Sequence, residues 1–276
     1  MIPREEVIKG VKYWAEWWIE QRRKKLIDKL SNTMSLNPFL VPFLFDYHDL
    51  NSVEDFIDLI IASHLMIGHN TGFGKLIDEK ILPEVFGTQK LDKNFRESNI
   101  PFENSAFNEI DHLIDRDDGS KELLSLKAGK WTIQLSMAIQ LNRSFSDILQ
   151  FYGSSYDKII VGVYYGKKED LTDKYDILRG INRGAEHHLK DITNNVKVFA
   201  GQEFWAWLNS GDLETQNYVL SGIISAIDKK NIKKENRASM KEFKDSIVKS
   251  FQGTLGTESP HKWSLLLEQI NSSEDK

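Results

Sequence analysis

At 276 residues and 31.9 kDa the chain is long enough to bury a sizeable core, as one broad domain or two unequal ones. Its 40% hydrophobic and 28% charged residues exclude a disordered protein, and the absence of cysteine excludes disulfides, thiolate catalysis and thiolate-bound metals. A net charge of -5 excludes DNA binding through bulk charge alone, so a nucleic-acid ligand would need positive charge gathered in a cleft. No apolar run approaches about 20 residues and the N-terminus lacks the basic-then-apolar pattern of a signal peptide, so the expected setting is the cytoplasm, with no membrane partner.

In chain order, residues 5–30 place Ile8, Val11, Trp14, Trp18 and Leu26 at helical spacing, with Arg22 to Lys25 as a basic run, and predict an amphipathic helix. Pro38 and Pro42 in SLNPFLVPFLFDYHD predict a buried irregular connection. A helix is expected over 53–65, ending at His69-Asn70-Thr71-Gly72-Phe73-Gly74, with another running through LIDEKILPEVF. The period then changes. Residues 108–114 read as one strand, Asp117 to Ser120 as a tight turn, and 121–127 as the return strand. A helix over 131–149, a buried strand over 158–165, a short strand over 196–199, the helix EFWAWLN and a helical tail from Leu213 complete the reading. This order predicts an α/β fold in which a mixed central sheet is flanked by helices, with helical N- and C-terminal parts. The expected domains are a helical region over 1–70 for dimerisation or clamping, a core with a recognition segment over 71–212, and a C-terminal helical region over 213–276.

Alternation along the return strand puts Leu123, Ser125 and Lys127 on one face and Glu122, Leu124 and Leu126 on the other. Asp111 lies amid apolar neighbours on the first strand, where an unpaired carboxylate is costly, so Asp111 and Lys127 can converge at one end of the sheet. Such a pair suits phosphodiester hydrolysis. The carboxylate binds a hard divalent ion that polarises the phosphate, and the lysine orients or deprotonates the attacking water. An Asp-Lys ion pair at a sheet edge satisfies the same spacing.

Asp111 followed by Ser125-Leu126-Lys127 resembles the active-site signature of the PD-(D/E)xK nuclease superfamily. The stretches NPFLVPFLFDYHDL, HNTGFGKLIDEKILPEVFG, EIDHLIDRDDGSKELLSLKAGKWTIQLSMAIQLN and LTDKYDILRGINRGAEHH resemble a Type II restriction endonuclease family that cuts the interrupted palindrome RGGNCCY. The resemblance implies a restriction-endonuclease-like sheet, a homodimer with one strand cut per subunit, Mg²⁺ as cofactor, 5′ overhangs and a cognate DNA methyltransferase in the host. It assigns Asp111 as the metal-binding aspartate and Lys127 as the catalytic lysine. Ser125 departs from the pattern, because an acidic residue usually stands there and serine carries no charge. Glu79 in KLIDEKILP is the preferred substitute metal ligand, with Asp78 and Glu84 behind it; Gln134 and Gln140 on the downstream helix carry no charge either.

Specificity requires residues that read base edges, and G-rich half-sites are read best by Arg or Lys. The segment 174–188, with its two glycines, offers Arg179 and Arg183 as guanine-contacting candidates, and Lys174 and Asn182 serve equally well. Lys75, Lys130 and Arg143 flank the expected site as candidates for phosphate contacts. A repair or structure-specific nuclease on the same core, a catalytically silent DNA-binding protein and a small-molecule α/β enzyme are the alternatives. The last lacks a glycine-rich phosphate loop.

Overall fold

A computed structural model of the protein describes residues 1–28, 37, 39–50, 52–129, 132–183, 186–228, 232–255, 264, 265, 267 and 268. The chain divides into two compact units, one formed by Met1–Ala15 with Gly74–Ala226 and the other by Glu16–Phe73 with Ile227–Lys276.

The first unit is built on a five-stranded sheet of order β1-β2-β3-β4-β5, comprising β1 (Gln89–Lys90), β2 (His112–Asp115), β3 (Lys121–Lys127), β4 (Lys158–Val163) and β5 (Val196–Ala200). The pairs β1-β2 and β2-β3 are antiparallel, whereas β3-β4 and β4-β5 are parallel. This is the mixed sheet expected from the order of elements, flanked by N- and C-terminal helical regions. The C-terminal ends of β3, β4 and β5 and the start of β2 therefore meet at one edge of the sheet.

The two faces of the sheet are both covered, as its near-continuous apolar strands demand. Leu113, Leu123, Ile159, Val161, Val196 and Val198 form one core with Ala138, Leu141, Phe145 and Ile148 of helix α6 (Leu135–Tyr152). The other face carries His112, Leu124, Ile160 and Gly162. Gly162 sits in β4 because a Cβ there would lie 2.5 Å from the ring of Phe204 on helix α8 (Gln202–Leu208), so the missing side chain lets that helix settle on the strand.

Four expectations about local structure are corrected. The first hairpin strand is short: Ser105–Glu109 form a 3-10 turn capped by the Asn104 side chain, and β2 begins only at His112. The segment His69-Asn70-Thr71-Gly72-Phe73-Gly74 does not end a helix, since α3 runs unbroken over Val53–Leu76 and continues through a π-helical turn (Ile77–Ile81) into α4 (Leu82–Phe86). In the second unit a Cβ at Gly68 would lie 2.7 Å from Nη2 of Arg22, and one at Gly72 3.1 Å from Nε1 of Trp18, so these glycines admit side chains of helix α1 (Arg4–Asp28) and do not act as a stop signal. The Pro42 segment is a short helix, α2 (Leu40–Tyr47), because proline in a first turn forfeits no helical hydrogen bond. The helix after the hairpin starts at Leu135, four residues later than its expected start.

The second unit has its own core, in which Val41 and Phe45 meet Phe56, Ile57, Ile60 and Ile61 of α3 and Phe243 of helix α10 (Ile232–Leu255). Among the described residues no helix is long and apolar enough to cross a membrane.

Candidate active site

The register of the central strands brings three of the sequence-selected residues to one place. His112 pairs with Leu124, so the position before it, Asp111, lies beside Ser125, and alternation puts Ser125 and Lys127 on the same face. The main chain of Asp111 donates to the Leu124 carbonyl at 2.8 Å, and its Oδ2 accepts from the Leu126 amide at 2.7 Å. The carboxylate thus replaces a main-chain acceptor where the β2-β3 ladder ends. Its Oδ1 has no hydrogen bond among the described residues, and the Arg96 guanidinium acts on the carboxylate through charge alone.

Lys127 is the last residue of β3 and is half-buried; among the described residues its ammonium has no hydrogen bond or ion pair. An Asp111-Lys127 ion pair, the plain structural reading of this spacing, is therefore absent among the described contacts. Ser125 is fully buried and its Oγ has no hydrogen-bond partner among the described residues. A free carboxylate oxygen, an unpaired hydroxyl and an unpaired ammonium share one strand end.

Three residues that the sequence did not single out hold this edge in place. Arg96, on helix α5 (Lys93–Ser98), donates from Nε to the Leu91 carbonyl, from Nη1 to Phe107 and from Nη2 to Ile110, at 2.8, 2.9 and 2.6 Å. It thereby ties the chain just before Asp111 to Leu91, whose amide bonds the Asp111 carbonyl at 2.9 Å. Tyr175, on the short helix α7 (Lys174–Ile177), donates to the Gly129 carbonyl at 2.9 Å, and Thr132 donates to the same oxygen at 2.7 Å. Burial pushes the Tyr175 phenol up, against the lowering influence of Thr132, and keeps it a proton donor to that carbonyl. The turn after Lys127 is therefore tied directly to the segment expected to read DNA. Asn142, buried on α6, donates to the carbonyls of Leu178 and Lys190 and accepts from the Lys190 amide, closing the base of the same segment. Its signal in the sequence is one polar residue within the apolar stripe of Ala138, Leu141, Phe145 and Ile148. Arg96 leaves no such signal.

Among the described residues no hydrogen bond and no group of three His, Asp or Glu side chains joins Glu79 to Asp111. Glu79 is exposed on the π-helical turn, and its neighbour Asp78 accepts from Nζ of Lys90 at 2.5 Å and pairs with Nε2 of His112 at 2.9 Å, on the sheet face opposite Asp111. Burial, the largest influence on Asp78, raises its pKa, but hydrogen bonds from His112 and Lys90 outweigh it and hold the carboxyl below the ordinary range. The buried His112 ring is bound on its other side by Thr88, at 2.9 Å, so the Asp78 network is internally satisfied.

Mg²⁺ keeps several waters and takes one or two carboxylates plus substrate phosphate oxygens. Asp111 Oδ1 fits that demand, and among the described residues no three His, Asp or Glu side chains are grouped to form a fuller cage. Of the DNA-contact candidates, Lys75 is exposed one residue beyond Gly74, where a Cβ would lie 3.6 Å from the Tyr164 hydroxyl; the Tyr164 amide in turn bonds the Lys127 carbonyl at 3.4 Å. Arg143 is exposed on α6 beside Asn142. Lys174 pairs with Asp173 at 2.6 Å, and Asn182 donates to Glu186 at 3.1 Å. Arg179 and Arg183 both approach Asp176. Lys130 lies outside the described residues. A scan of protein-family models and a search of curated proteins each give no match to the chain.

Proposed function

We propose that this protein is a Mg²⁺-dependent endonuclease of the PD-(D/E)xK type that hydrolyses double-stranded DNA within an interrupted GG-N-CC palindrome, RGGNCCY by resemblance, leaving 5′ overhangs. One observation carries the reading: Asp111, Ser125 and Lys127 share one face at the end of the β2-β3 ladder, where, among the described residues, one carboxylate oxygen accepts no hydrogen bond and the ammonium is unpaired. An ion pair kept only for stability would close on itself.

In this reading Asp111 holds the cation, which when bound polarises the phosphate and offsets the charge that builds on its oxygens. The Lys127 ammonium orients the attacking water and stabilises the developing negative charge, while the water's proton leaves to solvent. Water oxygen bonds to phosphorus and the bond to the leaving sugar oxygen breaks. Arg96 and Tyr175 do not touch substrate; they position the two ends of the site. A palindromic substrate asks for a two-fold homodimer, each subunit cutting one strand, and a host carrying such an enzyme needs a methyltransferase to protect its own DNA.

The test is incubation of the protein with a long mixed-sequence duplex, with Mg²⁺ or with a chelator, followed by sequencing of fragment ends. Discrete ends sharing GG-N-CC, formed only with Mg²⁺, are expected. An intact duplex in Mg²⁺ would favour the alternative of a DNA-binding protein without catalysis, and ends scattered without a common core would favour a structure-specific or repair nuclease.

A further inference from the structure

Asp176 on α7 engages two arginines at once. Its Oδ2 accepts from Nε of Arg183 at 3.0 Å and from Arg183 Nη2, while Oδ1 lies 3.9 Å from Nη1 of Arg179. The Asp176 and Arg179 side chains are 31% and 24% exposed, whereas Arg183 is 55% exposed. The carboxylate therefore sits at the foot of the pair and the outer guanidinium stands in solvent.

The donor inventory shows what this leaves available. Arginine has five N–H donors. Arg183 gives its Nε–H and one Nη2–H to Asp176, which leaves the end-on edge of the fork, Nη1 and the second Nη2 hydrogen, without a partner among the described residues. That edge is the one that binds guanine O6 and N7 together. The platform beneath is fixed: Tyr175 ties α7 to the Gly129 carbonyl, and Asn142 bonds both Leu178 and Lys190. Gly180 lets the chain turn between them, since its φ is +94° and a Cβ would fall 2.0 Å from the Lys190 carbonyl oxygen.

We propose that Asp176 is a specificity-determining residue that holds Arg179 and Arg183 as a guanine-reading pair and weakens their attraction to phosphate at non-cognate sequence. This rests on the DNA-cleavage reading above. The two effects have opposite signs. A carboxylate beside two arginines opposes the sequence-independent attraction of the backbone, which grows with each uncompensated positive charge. The same carboxylate orients the Arg183 fork through two hydrogen bonds and holds Arg179 nearby through charge at 3.9 Å, which favours a duplex that presents guanines there.

The experiment compares the wild-type protein with Asp176→Asn on two probes: a duplex carrying one RGGNCCY site, and the same duplex with its GG and CC steps scrambled. Binding is measured in Ca²⁺ to suppress cutting, and fragment ends are sequenced in Mg²⁺. The variant is expected to lose on the order of tenfold or more in the ratio of site to scrambled affinity, to bind the scrambled duplex as well as or better than wild type, and to cut sites that depart from GG or CC. Asp176→Glu, which keeps the charge, should recover part of the ratio. An unchanged ratio and unchanged ends in Asp176→Asn would overturn the assignment while leaving the nuclease reading intact. Parallel loss of both affinities would overturn it too, by showing a purely structural role. A wild-type protein that neither prefers the site nor cuts would overturn the nuclease reading itself, and the assignment with it.

Discussion

Ser125 is fully buried with an unpartnered Oγ, although leaving a buried hydroxyl unpaired costs roughly 1–3 kcal/mol. Because no hydrogen bond is lost on its removal, Ser125→Ala should melt at or above the wild-type temperature. A fall of several degrees in a thermal melt would show that the hydroxyl does have a partner. The convergence of Asp111, Ser125 and Lys127 was legible in the sequence, because side-chain alternation in a strand depends on parity alone. The setting of Glu79 was not, since sequence distance says nothing of which sheet face a flanking helix covers. His112 and Lys90 decide that by binding Asp78. Asn142 and Tyr175 escaped notice for a related reason: each acts through main-chain carbonyls far away in the chain, at Lys190 and Gly129.

At the scale of elements, the strand start at His112 depends on α5 and the 3-10 turn before it. Arg96 satisfies the carbonyls of Leu91, Phe107 and Ile110, so its loss leaves three acceptors to find water or remain unpaired. Hydrogen bonds to a charged group contribute about 1.5–3 kcal/mol each, and they are not additive when they share one side chain. Arg96→Ala is therefore expected to lower stability by at least about 2 kcal/mol in chemical denaturation. An unchanged denaturation midpoint would show that water replaces the guanidinium at no cost. The β2-β3 hairpin was legible from its turn and alternation, but its first strand was read too long, because the 3-10 geometry of Ser105–Glu109 is set by the Asn104 cap and by Arg96 and not by local periodicity. The unbroken α3 was misread for the opposite reason. Its glycines serve packing against Arg22 and Trp18, a tertiary demand that imitates a local stop signal.

For the molecule as a whole, the net charge of -5 is compatible with DNA binding only if cations collect locally. Lys75 and Arg143 are both exposed, the first next in sequence to Gly74 and the second next to Asn142, which ties down the segment proposed to read DNA. Global stability carries a pH signature from the far side of the sheet. The folded pKa of Asp78 is depressed, so its pairing contributes fully above the unfolded carboxyl value of about 3.9 and is lost as the pH falls through the lower folded value. Asp78→Asn is expected to flatten the acid limb of the stability curve below about pH 4, measured by denaturation across pH; an acid limb identical to wild type would show that the depression is not realised. The mixed sheet was foreseeable from the order of hydrophobic periods. Contacts between residues far apart in the chain set the two compact units, in which Met1–Ala15 groups with the sheet and Glu16–Phe73 with the C-terminal helices.

The most direct test is a single-turnover cleavage assay on a duplex carrying one RGGNCCY site in Mg²⁺, comparing wild type with Lys127→Ala and Asp111→Asn, with binding of each protein checked in Ca²⁺. Both variants should bind the duplex, yet cut it slower by on the order of 10³-fold or more, while wild type yields a single defined break in each strand. Cutting by Lys127→Ala at the wild-type rate, or no cutting by wild type itself, would contradict the account.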